Sequence, residues 1–425
     1  MRRVILPWVL ASTAAVLALQ CGRSRPEQRP AQQPPGLASE PSGAPDGKWR
    51  KARATPGATA NETAAQLQAV PYLGGYHAPS NESGVVRFDP ARAFRGLNLF
   101  TSGHAPEAIL MTMEGKELRR WHASVADVFP DLARDPQIRK FDFWRRAWLY
   151  PNGDLLAIFD GHGLVKLDRS SKVLWAKAGG FHHDLEVAAD GTIFVLDREG
   201  KLIPRLNPTL GVLEDFISIL APDGTRKDRI SLLEAFEGSP HAILLQGMND
   251  HGDIFHTNTL ELLDGRLADE IPAFKKGNIL ISVLQLDTLA VIDPAQRKVV
   301  WAMRGAWKRQ HQPTVLDNSH LLLFDNVGLD RDHSRVLEID PHDGAVVWQY
   351  GSTDGHELSS RTLGTAQRLP NGDTLITESE NGRAIEVTPG GETVWEYRSP
   401  YRAGEKNELV AVVFEMLRLP LNFGN

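Results

Sequence analysis

Pro370-Asn371-Gly372-Asp373-Thr374-Leu375-Ile376-Thr377, followed by Arg383-Ala384-Ile385-Glu386-Val387 and by Gly391-Glu392-Thr393-Val394-Trp395, decides the fold. It reads as a turn, a strand, a second strand, another turn and a strand that ends in tryptophan. The apolar runs are rich in β-branched residues and are bounded by turn dipeptides. The same sentence recurs at Pro151–Ala157, Leu164–Asp168 and Lys172–Trp175, and at Gly277–Ser282, Leu289–Asp293 and Lys298–Trp301. It recurs again at His320–Phe324, Arg335–Asp340 and Ala345–Trp348. Trp301, Trp348 and Trp395 fall at equal intervals. Repeats of roughly 40 to 50 residues built from three or four short strands are the mark of propeller blades. Two weaker copies, Gly96 to Trp121 and Asp190 to about Ile230, bring the number to six. The expected fold is all-β, a six-bladed β-propeller over residues 70–425. The tryptophans are expected to pack in the core. The run Leu409–Phe414 is expected to close the ring on the first blade and shield exposed strand edges. Ser124–Lys140 is expected to form a helical insertion.

Working outward, the composition is that of a globular protein, with 42% hydrophobic and 24% charged residues. The net charge is −6 and no long basic run is present, so nucleic acid is not an expected partner. Met1-Arg2-Arg3, an apolar stretch from Val4 to Leu19 and then Gln20-Cys21 resemble a secretory signal. The apolar segment is short for a transmembrane helix. Cys21, the single cysteine, stands where a lipoprotein signal carries its acylated residue, although Leu19-Gln20 occupy positions where small residues are usual. Residues 1–21 are therefore expected to be a lipoprotein-type signal. The other reading is an ordinary signal with an incidental cysteine. Residues 22–69, rich in Pro, Ser, Ala, Gln and Gly, are expected to be a disordered N-terminal tether. The expected location is the periplasm or cell surface, anchored by lipid to a membrane.

The first strand of each propeller blade runs along the central channel, so residues ahead of the first-strand turn approach the axis. His182 lies nine residues before Gly191 and His256 nine before Gly265, while His311 lies eight before Ser319. With His183 beside His182, three blades aim imidazoles at one volume. Such a cluster either binds a metal through neutral imidazoles or supplies a nucleophile flanked by donors for an anion. No compact metal-ligand spacing accompanies it, and neither a metal nor a cofactor is expected.

These residues lie in segments that resemble the bacterial arylsulfotransferases: His182–Glu186, Phe255–Thr259, Gly277–Ser282, Gln310-His311 with Leu321–Asn326, Ser334-Arg335 and Ala366–Thr377. The resemblance spans roughly Gly96 to Tyr397. It implies a six-bladed propeller outside the cytoplasm. It also implies transfer of a sulfuryl group from a phenolic sulfate donor to a phenol acceptor, without a nucleotide donor and through a sulfated histidine. By motif, His311 is the implied nucleophile. His256 and one of His182 and His183 are implied to bind the sulfuryl oxygens or move the phenol's proton, and Asn258 is implied to contact substrate. The chain departs from the family where Ser282-Val283-Leu284 replaces a common Ser-x-Arg, so a cation is missing. Lys308 and Arg309, close to His311 in sequence, are the expected substitutes. Asp325-Asn326 and Ser334-Arg335 are read as turn and strand-end hydrogen-bonding residues. A non-catalytic envelope scaffold is the alternative, since fold does not fix function. A quinone-dependent dehydrogenase is disfavoured by the single cysteine.

Overall fold

Alternating apolar runs and tight turns give short antiparallel strands, and the strands stack into blades. A computed structural model describes residues 48–51, 82–139, 141–351, 355–403 and 407–423. Cys21, the signal-like residues 1–21 and nearly all of 22–81 lie outside the described residues. Six sheets of four or five strands are formed, each starting at the channel and running outward. Blade two is Trp144–Leu149, Leu155–Phe159, Gly163–Leu167 and Val173–Ala178. Blade three is Phe181–Val187, Ile193–Lys201, Val212–Leu220 and Arg226–Ser231, and Gly252–Asp253 pairs in parallel with Val212-Leu213. Blade four is Thr257–Leu262, Ile279–Val283, Thr288–Asp293 and Lys298–Arg304. Blade five is His311–Val315, Leu321–Asp325, Arg335–Ile339 and Val346–Tyr350. The chain is thus a six-bladed β-propeller.

The ring closes at both ends of the chain. Blade one takes its inner strand, Val413–Leu419, from the C-terminal region and continues with Leu97–Ser102, Glu107–Met111 and Glu117–His122. Blade six, Thr365–Arg368, Thr374–Glu378, Arg383–Val387 and Thr393–Arg398, gains Gly84–Phe88 as a fifth, outermost strand. The expected closing run is therefore shifted. Leu409–Ala411 pairs instead with Trp49–Lys51, a strand inside the range read as tether, and the closing strand begins at Val413. Ser124 caps the short helix Val125–Val128, its side chain accepting from the Asp127 amide while the Asp127 carboxylate accepts from the Ser124 amide.

Apolar side chains on the blade faces meet between neighbours. Six separate clusters fill the six gaps, from Leu99, Trp121 and Leu155 between blades one and two to Met111, Trp395 and Met416 between blades six and one. Burial of this apolar surface holds the ring shut. The blade tryptophans do more than pack. Trp121 Nε1 donates to Gly153 O, Trp175 to Pro222 O, Trp348 to Pro389 O and Trp395 to Met113 O, each reaching a turn of the next blade at 2.8–3.1 Å.

Candidate active site

The inner strands are not regular. In blades one to five the pairing of the inner strand with its neighbour shifts register near the channel: at Val413/Glu415, Trp144/Arg146, Phe181/Leu185, Thr257/Thr259 and His311/Thr314. A bulge re-aims the side chain at the extra residue. His183, His256 and Gln312 take positive φ of 52°, 49° and 45°, a region that non-glycine residues seldom occupy. Blade six lacks the bulge and presents Gly364 at φ 149°, where a Cβ would strike the Phe324 ring. The result is a small cavity, about 10 Å3, lined by Arg145, Arg146, His183, Asn258, His311 and Thr365 among others.

His311 opens blade five and is 2% exposed. Its Nδ1 lies 2.8 Å from Asn326 Oδ1 and 3.1 Å from Arg309 O. Asn326 cannot be turned around, because its Nδ2 donates to Ser360 O and Leu363 O at 2.5 and 2.7 Å. Both neighbours of Nδ1 are acceptors, so Nδ1 carries the hydrogen and Nε2 keeps its lone pair. Nε2 has no partner. Burial, and then the charge of Arg145, lower the His311 pKa to about 3, so the ring is neutral at pH 7. The preceding Gln310 is buried and donates to Ser282 Oγ and Thr288 O, while its carbonyl accepts from Asn258 Nδ2 at 2.8 Å. Blade four thereby fixes the position of His311.

His256 stands just before blade four and is more exposed, at 31%. Asp253 holds it twice: Oδ1 accepts from the His256 amide at 2.9 Å and Oδ2 lies 2.5 Å from Nδ1. The His256 ring meets His183 edge-on, with centroids 4.9 Å apart. His183 Nδ1 in turn lies 2.8 Å from His182 Nδ1, and His182 Nε2 faces Asp215 Oδ1 at 3.7 Å. The Asp215 carboxylate favours a proton on His182 Nε2, so His183 donates from Nδ1 to His182. Burial pushes the His182 pKa down to about 3 and that of His183 well below its usual value. His183 lines the cavity and His182 sits behind it. Beneath them Arg146 is neutralised by Asp184 (2.8 Å) and Glu415, and Gln312 Nε2 also donates to Glu415 at 2.9 Å. Burial raises the Asp184 pKa to about 6, against the pull of Arg146.

Lys308 and Arg309 stand apart from the cavity. Lys308 is exposed and pairs with Asp287 at 3.1 Å, and Arg309 is exposed; neither lines the cavity, because both lie in the turn leading into blade five. Leu284 is buried at the end of a blade-four strand and does not line it either. The cations present are Arg145 and Arg146. The register that picks out the histidines contained this signal, since Arg145 lies eight residues before Gly153, as His311 lies eight before Ser319. Asn326, read as a turn residue, touches His311 instead. Asp325, Ser334 and Arg335 build the wall behind it: Ser334 Oγ donates to Asn326 O, and Arg335 pairs with Asp325 at 2.8 Å. Asp253 also went unread, three residues ahead of His256.

Among the described residues, no group of three or more His, Cys, Asp or Glu side chains is arranged to hold a metal ion. A neutral, oriented imidazole that shares a cavity with a buried guanidinium and a second histidine, itself in edge-on contact with His256, is suited to attack on an anionic, electrophilic group. An arylsulfotransferase (ASST) family model matches residues 147–400, more than half of the chain, with blades three, four and five entire. No curated protein matches the chain. Among solved structures the chain is similar to a protein of unknown function from Bacteroides caccae, with 11% identity over 76% of this chain and 98% of that one and a TM-score of 0.48. It is also similar to the β-propeller domain of Cps50 (Swd1) from Myceliophteria thermophila, with 12% identity over 80% and 98% of the two chains and a TM-score of 0.44.

Proposed function

The chain belongs to the arylsulfotransferase family, and from that premise we propose that it carries a sulfuryl group from an aryl sulfate to a phenol on Nε2 of His311. The observation that carries the reading is the fixed tautomer of His311. Asn326 and the Arg309 carbonyl hold the hydrogen on Nδ1, and Nε2 is left neutral and unpartnered beside the cavity. In the first half-reaction the Nε2 lone pair forms a bond to sulfur and the bond from sulfur to the aryl oxygen breaks. The departing phenolate takes a proton from His256, which Asp253 holds through Nδ1. In the second half, an acceptor phenol gives its proton to His256 and its oxygen attacks the same sulfur. The N–S bond breaks and His311 is regenerated. His183 and Asn258 border the path of the sulfuryl oxygens. The cavity has room for about one water, so the aryl group lies outside it, on the side of the more exposed His256.

The test is incubation with 4-nitrophenyl sulfate and a phenol acceptor, following nitrophenolate release and the sulfated product. Wild-type protein is expected to turn over and His311→Ala to be inactive. A folded wild type that is inactive on a panel of aryl sulfates contradicts the enzyme reading and favours a scaffold. We further propose that Cys21 anchors the chain to a membrane of the cell envelope. Cys21→Ala is then expected to move the protein into the soluble fraction, and a wild type that is already soluble contradicts this.

A further inference from the structure

Among the described residues, Arg145 is the one charged side chain lining the cavity that has no ion-pair partner. It stands at the bulge of the blade-two inner strand and is 6% exposed. Its neighbour Arg146 is held by two carboxylates, whereas Arg145 enters no ion pair among the described residues. The carboxylates that favour its charge, Asp160, Asp184 and Glu415, lie beyond ion-pair distance, and Arg146 opposes it. Its guanidinium lies over the Phe414 ring at 5.1 Å, and Phe414 sits at the bulge of the closing strand. A buried cation without a partner is costly, and folds keep one where a ligand completes it.

The surroundings define that ligand. Arg145 shares the cavity with His311 and His183, and its charge acts on both rings. The imidazoles are neutral and, among the side chains that line the cavity, Arg145 and Arg146 outnumber Asp184, so an anion is favoured beside Arg145; Glu415, which also holds Arg146, lies outside the lining. A planar fork of donors suits an oxyanion that presents several oxygens. Lys308 and Arg309 are exposed and position 284 is a buried leucine, so among the described residues no other unpaired cation lines the cavity.

We propose that Arg145, from blade two, binds the sulfuryl oxygens of the donor ester and of the sulfated His311, supplying the cation that blade four lacks. This rests on the sulfotransfer reading. The group carries one negative charge in the aryl ester and in the sulfated imidazole alike, so Arg145 is paired throughout the cycle. It holds those oxygens in place while the S–O bond breaks and its electron pair leaves on the aryl oxygen.

The experiment compares wild type, Arg145→Met and Arg145→Lys by calorimetric titration with inorganic sulfate, thermal unfolding, and single-turnover sulfation by 4-nitrophenyl sulfate. Arg145→Met is expected to lose sulfate binding and to slow sulfation by about 10²-fold. It is also expected to melt above the wild type in sulfate-free buffer, because an unpaired buried charge has gone, whereas a merely structural arginine would melt lower. Sulfate is expected to raise the wild-type melting temperature and leave that of Arg145→Met unmoved. Arg145→Lys keeps the charge without the fork and is expected to fall between them. It carries the test if Arg145→Met does not fold. Sulfate affinity and sulfation rate equal to wild type in either variant overturn the assignment while leaving sulfotransfer intact. A wild type that binds sulfate through Arg145 but never labels His311 overturns the sulfotransfer reading and leaves Arg145 as an anion site.

Discussion

His311 in blade five and His256 at blade four are both tied through Nδ1, but to different partners, and the difference separates their chemistry. An amide oxygen accepts the His311 hydrogen without adding charge, and the ring is almost fully buried. Such an imidazole is oriented yet stays neutral, which a nucleophile requires. A carboxylate holds His256, and the ring is a third exposed. That partner orients the ring and solvent can resupply the proton, which an acid–base group requires. His183, which lines the cavity with His311, is tied to another imidazole and belongs with the buried, neutral kind.

Exchanging the partners should break the division. Asn326→Asp places a carboxylate behind His311 and gives it the arrangement of His256. The ring then binds a proton more readily and its lone pair is lost at low pH. Activity is expected to drop on the order of 10³-fold near pH 6, towards the scale of a mis-set catalytic imidazole, and to recover in part as pH rises. A pH–rate profile unchanged from wild type would remove the tautomer argument. Asp253→Asn is the reciprocal change. In single-turnover sulfation of His311 its expected cost is about 10²-fold with donors whose phenols are weak acids, and little with 4-nitrophenyl sulfate, whose leaving group needs no proton. An equal loss for every donor would assign Asp253 to structure instead.

The smallest effect is on stability. His182 and His311 have pKa values near 3 in the fold, against 6.5 in the unfolded chain, so the unfolded state binds more protons between those limits. Their contribution is complete above pH 6.5 and is lost as pH falls towards 3. Asp184, raised to about 6, acts with the opposite sign, and its contribution declines as pH rises from about 4 to 6. His182→Gln removes one buried base and is expected to lower the acid unfolding midpoint by about half a pH unit. An acid midpoint that rises would mean that the His182–His183 contact outweighs the cost of keeping His182 neutral.

The blades were legible in the sequence because each strand repeats an apolar pattern that burial enforces, and Asn-Gly and Asp-Gly turns mark its period. The closing strand was misplaced by a few residues because Leu409–Phe414 is apolar throughout. Which half pairs with blade one depends on Trp49–Lys51, far away in sequence. The histidines were found by register, and the same register reaches Arg145. Proximity in sequence to His311 points instead to Lys308 and Arg309, because the channel that brings blades two and five together exists only in the fold. Asn326 and Asp253 lie at the end of a strand and just before one, where Asn and Asp commonly serve turns. Only the folded ring shows which of them faces an imidazole.

The central claim is that His311 carries the sulfuryl group as a covalent intermediate. Mixing the protein with excess aryl sulfate in the absence of acceptor, quenching under basic conditions and sequencing the peptides by mass spectrometry tests it directly. The account predicts one sulfuryl group on His311, absent from His311→Ala and discharged when a phenol is added before the quench. Product formation with an unmodified His311, or a label on His256 or His183 that persists in His311→Ala, would contradict it.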